Sequence, residues 1–145
     1  MRHIFIVNPR SGHQDATPVI QKALSELNPS EPYEIYVTSA PGDATQYVRT
    51  RCEADTSPLR FYACGGDGTL NEVINGAAGF DHAAVGCYPC GSGNDFIKYF
   101  GGRKFFTDLG ALMSGHEQRV DMIRVNDRYA INVVNMGFEA KTAAR

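Results

Sequence analysis

The feature that most restricts the fold is an alternation: short apolar runs of four to seven residues are separated by longer segments with helical spacing. Runs that short suit strands, and strands that run parallel can be joined only by a crossover, usually a helix. The alternation therefore predicts an α/β domain built on a parallel sheet. Strands are expected over His3 to Val7, Tyr33 to Thr38, Leu59 to Cys64 and Ala83 to Tyr88. The first intervening helix should open on Thr17 and Pro18, an N-cap followed by proline in the first helical position, and run to about Asn28. Asp43 with Gln46 fits a capping box for a helix to about Glu53, and Thr69 with Glu72 fits another for a helix to about Ala77. Shorter helices are expected over Asn94 to Phe100 and Phe106 to Met113. The last part changes character: Gln118 to Val125 and Arg128 to Val134 are β-rich runs joined by Asn126-Asp127, which reads as an antiparallel hairpin.

With 43% hydrophobic and 21% charged residues, the 145-residue chain can bury the core of one folded domain. Its 14 basic and 16 acidic residues are scattered, so no stripe invites a polyanion, and nucleic acid is not expected as a partner. No apolar run approaches the roughly 20 residues that span a bilayer. Met1-Arg2-His3 leads straight into a strand rather than a cleavable leader. The expected location is cytoplasmic, and a homo-oligomer is left open. Cys52, Cys64, Cys87 and Cys90 do not form a disulfide framework.

Gly65-Gly66-Asp67-Gly68-Thr69 lies between an expected strand and an expected helix. Three glycines allow positive φ and let backbone N–H groups approach a ligand, and the helix start adds unpaired N–H groups, so an anion such as phosphate is the natural guest. Asp67 would repel that phosphate unless Mg²⁺ or a sugar hydroxyl lay between them, and a nucleotide with its metal satisfies both. The alternative is a tight turn in which Thr69 and Glu72 merely cap a helix. The run lacks the Gly-Lys-Ser/Thr ending of a P-loop, and Asn71 stands where a dinucleotide fingerprint wants its last glycine. Gly91-Ser92-Gly93-Asn94-Asp95 is a second glycine-rich turn ahead of a helix. With Asn8 to Gly12 and Thr38 to Gly42, these loops should meet at the carboxyl edge of the sheet, where open α/β sheets bind ligands.

The stretch GGDGTLNEVING, from Gly65 to Gly76, resembles the signature of the diacylglycerol kinase catalytic domain, shared with sphingosine and ceramide kinases. Asn8-Pro9-x-Ser11-Gly12, Thr38 with Gly42-Asp43-Ala44, Pro89-x-Gly91-Ser92-x-Asn94-Asp95-Phe96, Asp121 and the segment from Asn132 to Glu139 follow in that family's order. The resemblance implies a three-layer, parallel-sheet nucleotide-binding domain of the NAD kinase and diacylglycerol kinase type over residues 1–145, closing on the hairpin. It implies transfer of the ATP γ-phosphate to a diacylglycerol-like lipid. Asn8, Thr38, Gly66, Asp67, Gly68, Thr69, Glu72, Ser92 and Asn94 would bind the nucleotide. Asp67 would organise Mg²⁺ and water at the reacting phosphate, with Asp95 and Asp121 extending the acidic network. A second, β-rich domain would carry the general base. The expectation is then ATP binding without robust turnover by residues 1–145.

An NAD kinase-like domain with a soluble substrate would share the fold. Cys87-Tyr88-Pro89-Cys90 has redox spacing but falls late in the chain. The histidines at 3, 13, 82 and 116 have no matched partners and read as surface or loop residues, with only His13 and Arg10 near enough in sequence to reach a nucleotide. Finally, residues 96–106 interleave aromatic and basic groups. That pattern suits transient contact with an anionic inner-membrane face, but the helical spacing of Phe96, Tyr99 and Phe100 favours packing against the sheet.

Overall fold

The computed structural model describes residues 1–91 and 93–131. In chain order the elements are β1 (Arg2–Val7), α1 (Thr17–Leu27), β2 (Tyr33–Val37), α2 (Asp43–Ala54), β3 (Leu59–Gly65), α3 (Asp67–Ala77), β4 (Ala83–Pro89) and α4 (Asp95–Tyr99). A 3₁₀ turn (Arg103–Phe105), α5 (Leu109–Ser114) and the hairpin strands β5 (Ile123–Val125) and β6 (Arg128–Ala130) follow. The main sheet has four parallel strands in the order β2-β1-β3-β4.

The central strands β1 and β3 are buried on both faces, as the middle of a parallel sheet requires, while the edge strands β2 and β4 are less covered. Ile4, Ile6, Phe61 and Ala63 pack with α2 and α3, through Val48, Leu70, Val73 and Ile74. The alternate residues Phe5, Val7, Tyr62 and Cys64 pack with Ile20 and Leu24 of α1 and Leu109 and Met113 of α5. Helix, sheet and helix make the three layers. Crossovers between parallel strands are right-handed, so reversing the direction of strand addition moves the connecting helix to the other face. The chain steps from β1 out to β2 through α1, then returns across β1 to β3 and β4 through α2 and α3. The reversal falls between neighbours β1 and β3, whose trailing loops leave toward opposite faces.

Several local expectations are corrected. Neither capping box forms, because α2 and α3 start earlier than the boxes require. Gly42, at φ 86°, is the N-cap of α2, and Asp43 instead folds back to accept hydrogen bonds from Ser39 N (2.8 Å) and Tyr36 Oη (2.8 Å). Gly66 is the N-cap of α3, which places Thr69 and Glu72 inside the helix with other partners. Helix α1 begins at Thr17 after Ala16, and the Asp15 carboxylate takes the Thr17 N–H at 2.9 Å. The hairpin pairs only Ile123–Val125 with Arg128–Ala130; residues 118–122 are not strand, and residues 132–134 lie outside the described residues. His3 is fully buried rather than at the surface, held between Tyr62 Oη (Nδ1, 2.8 Å) and Glu31 (Nε2, 2.6 Å). The ring stripe on α4 splits: Phe96 packs against the core, whereas Tyr99 is 88% exposed and Phe100 is exposed beside it.

Candidate functional site

Three loops at the carboxyl edge of the sheet enclose a cleft of about 380 Å³. After β1 come Asn8, Pro9, Arg10 and Ser11; after β2 come Thr38, Ser39, Ala40 and Pro41; after β3 come Gly66, Gly68 and Thr69, with Glu72 one turn further on. The cleft thus opens at the switch between β1 and β3, the position where strand topology leaves a crevice.

Hydrogen bonds tie these loops together. Asn8 Nδ2 donates to Thr69 Oγ1 at 3.3 Å, joining the β1 loop to α3 across the switch point. The Asn8 carboxamide oxygen accepts from Arg10 N at 3.0 Å and so shapes its own turn. Thr38 N donates to Val7 O at 2.9 Å. Glu72 Oε1 accepts from Gly42 N at 3.0 Å, fixing the β2 loop to α3. Asp43 braces that loop from the other side, and the Ser39 amide, followed by the Tyr36 hydroxyl, holds its carboxyl below the usual Asp range.

The glycines contribute space rather than left-handed backbone. None of Gly65, Gly66 and Gly68 has positive φ. A Cβ on Gly65 would collide with the Thr69 side chain, and one on Gly91 would lie 2.5 Å from Gly66 Cα. The two glycine-rich turns are therefore in backbone contact, reinforced by Cys90 N to Gly65 O at 2.9 Å. A Cβ on Gly68 meets nothing within 4 Å. The first α3 amide to find a helical carbonyl is Leu70 N, to Gly66 O at 3.1 Å. Among the described residues the preceding N–H groups have no acceptor, and they lie at the positive end of the helix dipole beside the cleft.

The expected site residues divide into two groups. Asn8, Thr38, Gly66, Gly68, Thr69 and Glu72 line the cleft. Asp67 and Asn94 lie on the other side of Gly66, in a narrow crevice with Cys87, Phe96 and Ile97. There Asp67 Oδ1 accepts from Asp95 N at 2.7 Å, anchoring the start of α4, while the Asp95 carboxylate pairs with Lys98 at 2.8 Å. Asp121 is exposed ahead of β5. Among the described residues no cluster of three His, Cys, Asp or Glu is placed to hold a metal, so Asp67, Asp95 and Asp121 do not gather into one ligand set. Ser92 and the segment 132–139 lie outside the described residues.

Arg10, Ser39 and Pro41 also line the cleft. Their signal was positional, since each follows the carboxyl end of a strand. His13 is exposed and does not line it. The dithiol reading fails on geometry, because Cys87 packs into the core under α2 and α3 while Cys90 packs toward α1 and α5. Burial also pushes the Cys87 thiol up to about 12 and raises Cys90, the reverse of an activated thiol.

The family model described as the diacylglycerol kinase catalytic domain matches residues 2–125. The chain belongs to this family. Among curated relatives, it is 37% identical over 137 residues to a diacylglycerol kinase of Staphylococcus epidermidis, covering 92% of this chain and 42% of that protein. It is 34% identical over 136 residues to a diacylglycerol kinase of Staphylococcus saprophyticus, covering 92% and 44%. A crystal structure of a diacylglycerol kinase from Bacillus anthracis superposes with a TM-score of 0.70 at 26% identity, covering 88% of this chain and 45% of that one. The chain thus spans less than half the length of these family members. Membership explains why the glycine run continues as Leu70-Asn71-Glu72-Val73-Ile74-Asn75-Gly76. Glu72 holds the β2 loop, Val73 and Ile74 enter the core, and Gly76 lets α2 approach, since a Cβ there would sit 2.7 Å from Thr45 O.

Proposed function

We propose that residues 1–145 bind ATP in this cleft, as the nucleotide-binding part of a kinase that phosphorylates the hydroxyl of a diacylglycerol-like lipid. The observation that carries the reading is the start of α3: N–H groups with no acceptor among the described residues, beside a Gly68 with no Cβ, at the switch point of the sheet. Phosphates would rest on the amides of residues 66–69, with Arg10 as a nearby cation and Asn8, Thr38 and Glu72 along the nucleotide. We also assign Ser92 and Asn94 to the nucleotide, Asn94 from the crevice on the far side of Gly66. Family membership and the chain's diacylglycerol kinase relatives support the lipid as acceptor.

The donor set fits a metal carried in by the nucleotide. Asp67 has one carboxylate oxygen engaged by Asp95 N and the other without a hydrogen-bond partner among the described residues. Mg²⁺ is commonly held by one or two carboxylates together with substrate phosphates, so it would supply charge neutralisation there with Asp67 as its protein ligand. The Asp95 carboxylate is paired with Lys98, and Asp121 is exposed ahead of β5. In the transfer, the lipid oxygen bonds to the γ-phosphorus, the bond to the bridging oxygen breaks, and ADP leaves. The hydroxyl proton must pass to a base, which we place in a second, β-rich domain.

The test is a thermal-shift comparison of ATP-Mg²⁺, ADP and NAD. Binding to the folded state alone stabilises by about 2.7 kcal/mol at a hundredfold excess over Kd. ATP-Mg²⁺ should raise the Tm, NAD should not, and Asp67→Asn should weaken the ATP-Mg²⁺ effect. A shift with NAD alone would turn the reading toward an NAD kinase-like site.

A further inference from the structure

Residues 99–105 carry an aromatic surface that the nucleotide site does not use. Tyr99 is 88% exposed and Phe105 58%, with Phe100 exposed between them. These rings are held in place although they face water. Tyr99 meets Phe100 edge-on at 5.3 Å, and Phe100 meets Phe96 at 5.0 Å, which roots the row in the core. Gly101, at φ 98°, leaves room for the Phe105 ring, which a Cβ would approach to 2.5 Å. The Lys104 ammonium lies 4.9 Å from the centre of the same ring.

Asp95 and Asp108 flank this stretch, and every charged side chain between them is basic. Residues 96–106 contain Lys98, Arg103 and Lys104 and no acidic residue, in a chain of net charge -2. Lys98 is paired with Asp95, whereas Arg103 and Lys104 have no carboxylate within 4 Å among the described residues. Exposed aromatic rings beside unpaired cations match the chemistry of an anionic bilayer surface, where rings settle at headgroup depth and cations meet the lipid charge. The surface is also close to the candidate site. Helix α4, which carries Tyr99, starts at Asp95, whose N–H is held by Asp67 at 2.7 Å.

We infer that Tyr99, Phe100 and Phe105, with Arg103 and Lys104, form a membrane-docking surface that seats the protein on anionic phospholipid. This rests on the proposed lipid-kinase reading and adds to it the face that meets the bilayer. Docking here would bring the crevice around Asp67 toward the lipid that carries the acceptor hydroxyl.

The experiment is co-sedimentation of the full chain with sucrose-loaded vesicles, either phosphatidylcholine alone or phosphatidylcholine mixed with phosphatidylglycerol. Wild type should partition onto the anionic vesicles roughly tenfold or more above the neutral ones. Tyr99→Ser with Phe105→Ser, and separately Arg103→Gln with Lys104→Gln, should each lose most of that partitioning while keeping the wild-type circular dichroism and ATP-Mg²⁺ thermal shift. Wild type left in the supernatant, equal binding to neutral vesicles, or anionic binding unchanged in both variants would overturn the inference. An absent ATP-Mg²⁺ shift alongside the expected partitioning would instead count against the kinase reading and leave this surface standing.

Discussion

Gly68 separates two reasons a glycine can be needed. Gly65 and Gly91 make room for neighbouring protein, whereas a methyl group on Gly68 would meet nothing in the ligand-free chain. Gly68 lies in the first turn of α3 with ordinary negative φ, where alanine is the better helix former by about 0.5–1 kcal/mol. Gly68→Ala is therefore expected to leave unliganded stability unchanged or raise it by up to that amount, while reducing the ATP-Mg²⁺ thermal shift. Denaturant melts with and without nucleotide check both halves. The residue types of this run were readable as a phosphate turn, but the use of its glycines was not. Positive φ was the expected reason, and close backbone packing against Gly91 is the observed one. That packing joins residues 25 positions apart, which local spacing cannot reveal.

Asn75 shows how elements are held to one another. Its amide donates to Tyr129 O at 2.9 Å and accepts from Tyr129 N at 2.9 Å, so one side chain on α3 pairs with β6 as a strand would. Asn75→Ala removes both bonds and should cost about 1–3 kcal/mol. Faster amide exchange at residues 128–130 than at β3 would locate that loss in the hairpin, and uniform acceleration would contradict it. On the facing helix, Asp43 gives the fold a specific acid sensitivity. Its folded-state pKa is depressed by the Ser39 amide and the Tyr36 hydroxyl, so its contribution is present above the ordinary Asp value of about 3.9 and lost as pH falls through the folded one. Asp43→Asn should flatten the stability profile on that acid limb, as measured by chemical denaturation from neutral pH down to the acid transition. The strands and long helices followed from apolar period alone. The capping boxes did not, because Asp43, Thr69 and Glu72 are engaged by residues from other elements, and such partners have no local pattern.

At the scale of the molecule, strand order decides where chemistry can occur. Parallel orientation puts the loops after β1, β2 and β3 at one edge, the return of the chain across β1 opens a crevice between them, and no helix among the described residues is long and apolar enough to cross a membrane. Convergence of those loops was readable from the alternation of strands and helices. The separation of Asp67 from the main cleft was not, since it depends on how α4 docks against the glycine run. We propose that ATP occupies the cleft with its phosphates on the start of α3. Hydrogen exchange read by mass spectrometry with and without ATP-Mg²⁺ tests it most directly. Slowed exchange is expected at residues 66–69, together with 8–11 and 38–40. Unchanged exchange at those segments under saturating ATP-Mg²⁺, or protection confined to the far edge of the sheet around His3 and Glu31, would contradict it.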